Sequence, residues 1–180
     1  SAVHITFVYL LIVALLPGET LLACATALFV AMNPQFLHIS ASVSNEPLAD
    51  ALSTIYLVAL LWLTRGTATA RRCLLTGAVL GCCLLSKLSA LYYLPVTACI
   101  LAWTHARKPK QLLAGLSLVA GAAFLVAGWW YLRNWLIYHD PFATVYLIES
   151  QPWGFRTAAF SAGSLLSLAS HAFVSFFGTF

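Results

Sequence analysis

Glu46 and Asp50 lie four positions apart in the stretch Ser44-Asn45-Glu46-Pro47-Leu48-Ala49-Asp50. On a helix this spacing puts both carboxylates on one face, a turn from each other. Carboxylates so placed can take a proton from a hydroxyl or orient a polar acceptor. Glu46 by itself is also a favourable charge at a helix N-terminus. Asp50 is harder to accommodate, because it stands a turn inside an apolar run. An ionisable group within a membrane span costs about 2.5–3.5 kcal/mol and is usually functional. The alternative is a depth at which Asp50 stays hydrated.

Two cationic positions complement these acids. Lys87 sits in Leu84-Leu85-Ser86-Lys87-Leu88-Ser89-Ala90, where a cation needs a partner or a route to water. It could snorkel to the interface or serve as a point charge for a lipid-borne phosphate. Arg133-Asn134 follows Trp129-Trp130-Tyr131-Leu132. Arginine can grip a phosphate with two parallel hydrogen bonds; the alternative is an interfacial anchor flanked by tryptophans. The expected site therefore has Glu46 and Asp50 as its catalytic carboxylates, with Asn45, Lys87, Arg133 and Asn134 binding substrate. Asp140-Pro141 reads as the start of a turn.

His4, His38, His105, His139 and His171 show no ligand spacing, and Cys24, Cys73, Cys82, Cys83 and Cys99 form no CxxC. The cysteines read as small core residues. No cofactor and no metal-ligand set is evident, although the carboxylates leave a divalent cation open.

Composition decides what kind of body must position these groups. Of 180 residues, 62% are hydrophobic and 8% charged, against ~45–50% and ~25% in soluble domains. The mean hydropathy is +0.91. This excludes a soluble globular enzyme, a disordered tail and a nucleic-acid module. The net charge of +4 is too dilute for a polyanion-binding face. The expected architecture is all-α: an integral, multi-pass bundle of about six to seven apolar helices in a lipid bilayer. One transmembrane domain over residues 1–180 is expected. Because the chain opens on Ser1 and ends within an apolar run, it reads as cut from a larger domain at both ends. Its first run lacks a basic n-region and makes a poor signal peptide. The oligomeric state is not encoded in these patterns.

Polar breaks place the helices. Run one, 2–16, stops at Pro17-Gly18-Glu19-Thr20. Run two, 21–32, stops at Asn33-Pro34, and 35–44 is either an interfacial helix or the thin end of run two. Run three, 47–64, opens on Asn45-Glu46-Pro47. Residues 73–103 are too many for one span, so a hairpin turning near Lys87 is predicted, with Pro95 bending the return. Run six, 112–132, is followed by a loop carrying Arg133, Asn134, Asp140 and Glu149. A last run covers 158–180, after Arg156. Gly77 and Gly81 form a GxxxG, a pattern suited to close helix contact and also common by chance.

Six of the nine cations fall in two loops, 65–72 and 104–111. A hairpin between them puts both on one side, expected to be cytoplasmic. Asn45-Glu46, Lys87 and Arg133 then share the opposite face, with Trp129, Trp130, Tyr131 and Trp135 as an aromatic belt. A single long helix through Lys87 would invert this topology and separate them.

Three stretches carry a resemblance. Residues 29–52 (FVAMNPQFLHISASVSNEPLADAL) resemble the segment of GT-C type membrane glycosyltransferases that ends in an exoplasmic Asn-Asp or Asn-Glu turn. Residues 77–95 (GAVLGCCLLSKLSALYYLP) are similar to their glycine-rich helix, followed by a lysine and a tyrosine-proline end. Residues 128–142 (GWWYLRNWLIYHDPF) are similar to the W-Y-x-R-N-x-x-x-Y-G-D-P stretch of bacterial relatives of protein O-mannosyl- and aminoarabinose-transferases. The resemblance implies a multi-pass enzyme of the bacterial plasma membrane. It would transfer a sugar from a polyprenyl-phosphate donor to an acceptor on the exoplasmic face. Asn45 and Glu46 fall on the family's second acidic loop motif; Lys87, Arg133 and Asn134 fall where the donor phosphate would be held. Glu46 replaces a more usual aspartate, and His139 stands where the pattern has glycine. The family's main carboxylate belongs to a loop upstream of Ser1, so the fragment is expected to be inactive alone. A transporter or lipid flippase, or a GT-C-like membrane protein without known activity, remains the alternative reading; no internal repeat supports transport.

Overall fold

The computed structural model describes residues 2–65, 69–106 and 108–145, and every regular element among them is helical. Punctuation residues set the helix ends. Helix α1 (Ala2–Leu15) stops ahead of Pro17-Gly18, and α2 (Thr20–Ala31) stops ahead of Asn33-Pro34. Helix α3 (Pro34–Ala41) is an element of its own, bent 58° from α2. The Asn33 side chain accepts from the Gln35 and Phe36 amides at 2.9 and 3.1 Å, and Pro34 takes a position where its missing N–H is not needed. Helix α4 (Glu46–Thr64) begins at Asn45-Glu46-Pro47.

Helix α5 (Ala70–Ser86) ends at Lys87, whose backbone is extended at φ −154°, ψ 130°. A 3-10 turn, Leu88–Tyr92, then leads into α6 (Tyr93–Thr104). The chain therefore does break at Lys87. Pro95 does not bend the return: it lies in the first turn of α6, where a proline is tolerated.

Helix α7 (Pro109–Tyr138) runs for 30 residues. Arg133 and Asn134, expected in a loop, are thus helical. Hydropathy registers where lipid gives way to water, and a helix need not end there. The stop comes at His139, which is left-handed at φ 53°, and at the Asp140-Pro141 turn beyond it.

The direction of packing follows from the contacts. A Cβ on Gly77 would meet the Val119 carbonyl and stand 2.8 Å from the Ala122 Cβ, while one on Gly81 would stand 2.6 Å from the Val126 Cβ. Both chains ascend together, so α5 and α7 are parallel neighbours in close contact. The GxxxG is a genuine helix-packing face. Helix α4 runs antiparallel to α5: Thr76 donates to the Ala59 carbonyl at 3.3 Å and Arg72 to the Trp62 carbonyl at 3.2 Å. Helix α1 packs on α4, and α2 on α1. The core lies between α4, α5, α6 and α7 around Tyr56, Leu63, Leu80 and Leu101. Cys73 and Cys83 belong to it, whereas Cys24 and Cys99 are exposed, contrary to their reading as core residues.

Two helices, Glu46–Thr64 and Pro109–Tyr138, are long and apolar enough to cross a membrane, and three such spans result if the bent α2–α3 pair is one. Helix α1 and the stretch Leu88–Thr104 are apolar but shorter. The basic loops carry Arg107 and Gly66, and the later chain carries Glu149, Arg156 and the run 158–180. All of these lie outside the described residues.

Candidate functional site

The end of α5 is where neighbouring helices meet. A helix leaves its last carbonyls without intrahelical partners, and in an apolar surrounding each needs another donor. The Cys83 carbonyl takes the Lys87 amide at 3.1 Å and the Ser86 hydroxyl at 2.9 Å. The Leu84 carbonyl takes the Tyr131 hydroxyl of α7 at 2.9 Å. The Ser86 carbonyl takes the Asn45 side-chain amide, from the start of α4, at 2.8 Å. These bonds fix the beginning of α4 and the upper part of α7 against the Lys87 break.

Lys87 Nζ reaches Glu46 Oε2 at 2.5 Å and Oε1 at 2.7 Å. The pair is only half-buried, Lys87 being 40% and Glu46 38% exposed. Glu46 stands in the first turn of α4, so the helix N-terminus and Lys87 both stabilise its charge.

Beside the pair opens a cavity of about 410 Å³ whose lining includes Asn45, Ser86, Lys87, Tyr131, Arg133 and Asn134. All four residues expected to bind substrate thus converge on one space. Arg133 is exposed, with its guanidinium 5.2 Å from the Trp130 ring centre. No carboxylate among the described residues pairs with it. Asn134 is buried at 4% exposure; its amide reaches the Pro141 carbonyl at 3.4 Å, and its oxygen faces the Arg133 guanidinium at 3.5 Å. An apolar groove of about 310 Å³ adjoins the cavity and shares Leu84, Tyr131, Pro141 and Phe142 with it.

The two expected catalytic carboxylates part company. Glu46 is bound to Lys87 and lines neither space. Asp50 faces a separate, smaller cavity of about 160 Å³, with Ser53, Ser89 and Tyr92 around it. The Asp50 carboxylate makes no hydrogen bond or ion pair with any described residue. Lys87 is in the wall of both cavities.

The turn after α7 closes the far wall. Asp140 accepts from the Phe142 amide at 2.9 Å, the Thr144 amide at 2.6 Å and the Thr144 hydroxyl. The Thr144 hydroxyl and the Phe142 amide hold this carboxyl below the usual carboxylate range. Asp140 is therefore a turn-forming residue. Sequence reasoning missed Tyr131 and Ser86 as site residues. Tyr131 was visible only as one ring of an aromatic belt, and Ser86 contributes a carbonyl, which every residue has.

Among the described residues no cluster of His, Cys, Asp and Glu could hold a metal ion. Comparison with known proteins returns no matching family model, curated protein or solved structure.

Proposed function

We propose that this chain is part of a multi-pass membrane glycosyltransferase of GT-C type. In this reading it takes a sugar from a polyprenyl-phosphate donor on the exoplasmic side, within a six- to seven-helix membrane domain. The observation that carries the reading is the joining of the 410 Å³ cavity, which holds Lys87 and Arg133, to the 310 Å³ apolar groove. A lipid phosphate needs both features side by side. Cations near the leaving phosphate stabilise the charge that grows on it during transfer. Lys87 and Arg133 would take that role, and Asn45 and Asn134 in the cavity wall would supply neutral hydrogen bonds. Transfer also requires a base for the acceptor. Asp50, a carboxylate across Lys87 with no bonded partner among the described residues, is better placed for proton transfer than Glu46. A divalent cation remains compatible with these carboxylates, though no ligand set is assembled among the described residues.

The test uses the full-length protein in membranes. Lys87→Ala and Arg133→Ala should each lower sugar transfer by at least tenfold while the folded yield is retained. Unchanged transfer in both variants would falsify the phosphate role. The transporter or flippase reading draws on the 58° break between α2 and α3, since discontinuous helices are common in transporters. Scrambling of lipid by reconstituted protein, without sugar transfer, would establish it instead.

A further inference from the structure

Lys87 has one carboxylate partner and a place in two cavity walls. Its bond to Glu46 is bidentate, yet both side chains remain more than one-third exposed. Ion pairs this accessible are weak in net terms, because water screens them and competes for both partners. Opening the pair leaves neither group stranded. Glu46 would stay in the first turn of α4, where free N–H groups favour a negative charge. The Asn45–Ser86 bond, at 2.8 Å, holds the two chain ends in place without help from the ion pair. Arg133, meanwhile, has no carboxylate among the described residues and lies on the same cavity.

We infer that Glu46 is a displaceable counter-ion, which competes with an incoming phosphate group for Lys87. The inference rests on the phosphate reading of the larger cavity. With the ion pair closed, Arg133 alone offers an uncompensated cation there. A phosphoryl group held by Arg133 can then draw Lys87 away from Glu46, since phosphate oxygens form strong charge-assisted bonds to both cations. A halide or a simple carboxylate offers Lys87 no more than Glu46 already does. Glu46 thereby acts as a filter that favours phosphate over weaker anions. Displacement also draws Lys87, which is in the wall of both cavities, away from the smaller one that Asp50 faces.

The experiment measures binding of inorganic phosphate and of farnesyl phosphate to the full chain in detergent micelles. Glu46→Gln should bind both probes about three- to fivefold tighter than wild type, the range expected for loss of an accessible competing pair. Glu46→Asp keeps the charge but withdraws it by one methylene, and it should tighten binding too. Tighter binding of farnesyl phosphate than of inorganic phosphate assigns the phosphate to a lipid; equal affinities assign it to a free anion. Wild-type affinity in Glu46→Gln overturns the inference. So does tightening in Glu46→Gln alone, which would mean a long-range charge effect without contact competition. If neither probe binds wild type, or if Lys87→Gln and Arg133→Gln leave both affinities unchanged, the phosphate reading itself fails.

Discussion

The Tyr131 hydroxyl of α7 donates to the Leu84 carbonyl of α5 at 2.9 Å, across 47 positions of sequence. It satisfies a carbonyl that α5 cannot satisfy for itself, and it does so one turn before the Lys87 break. The same residue lines both the polar cavity and the apolar groove.

Tyr131→Phe keeps the ring and removes the bond. It should lower stability by about 0.5–1.5 kcal/mol, read from thermal unfolding in detergent. It should also weaken phosphate binding, because the α5 terminus that carries Lys87 loses its hydrogen bond to the helix that carries Arg133. Full stability with unchanged binding would show the bond to be incidental.

The parallel α5–α7 contact predicts a sharp contrast between glycines. Gly77→Leu must push into the Val119 backbone and should cost about 1–3 kcal/mol by overpacking. Gly121 has nothing within 4 Å of a new Cβ, so Gly121→Ala should not destabilise and should gain up to about 1 kcal/mol from helix propensity. Equal effects at the two positions would argue against this packing.

His139 holds a left-handed conformation at φ 53°, which glycine adopts without a steric penalty. His139→Gly should stabilise the end of α7 by about 1 kcal/mol, seen as a raised melting temperature. A lowered one would mean that the imidazole makes a compensating contact.

Asp140 gives a pH dependence with a defined sign. Its carboxyl is held below its ordinary value by the Thr144 hydroxyl and the Phe142 amide, against about 3.9 in an unfolded chain. The turn therefore keeps its full support above about pH 4 and loses it as pH falls through the lower folded value. Amide exchange at Phe142 and Thr144 should accelerate only in that acid window. In Asp140→Asn the acid step should vanish.

Helix directions place Asn45, Lys87 and Arg133 at one end of the bundle, with Arg72 and Lys110 at the other. In membrane vesicles, single cysteines at 45, 87 and 133 should react with an impermeant reagent from one side. Cysteines at 72 and 110 should react from the other. A split among the first three would break the common cavity.

The breaks in the chain were readable because specific residues enforce them. Asn33-Pro34 and Asn45-Glu46-Pro47 provide start signals, and Lys87 is a charge that no uninterrupted apolar helix would accept easily. The extent of α7 was not readable, because Arg133, Asn134 and Trp135 look alike whether a helix continues into water or ends there. The Glu46–Lys87 pair joins residues 41 positions apart, and no local pattern carries a partner over that distance. Its formation separates two acids that the sequence had grouped as one catalytic pair. Glu46, nearer the turn, is paired with Lys87, while Asp50, deeper in the run, has no bonded partner among the described residues. The Gly77–Gly81 spacing announced a contact, but only the packing named α7 as its other side.

Helix α7 is 30 residues long, about 45 Å at 1.5 Å per residue, against a hydrocarbon thickness of about 30 Å. Were the exposed rings of Trp129 and Trp130 to mark an interface, Arg133, one turn further along α7, would be level with the headgroups of the surrounding leaflet. A ligand that already lives in that leaflet would reach the cavity by sliding sideways, keeping its tail in oil and its charge at constant depth throughout.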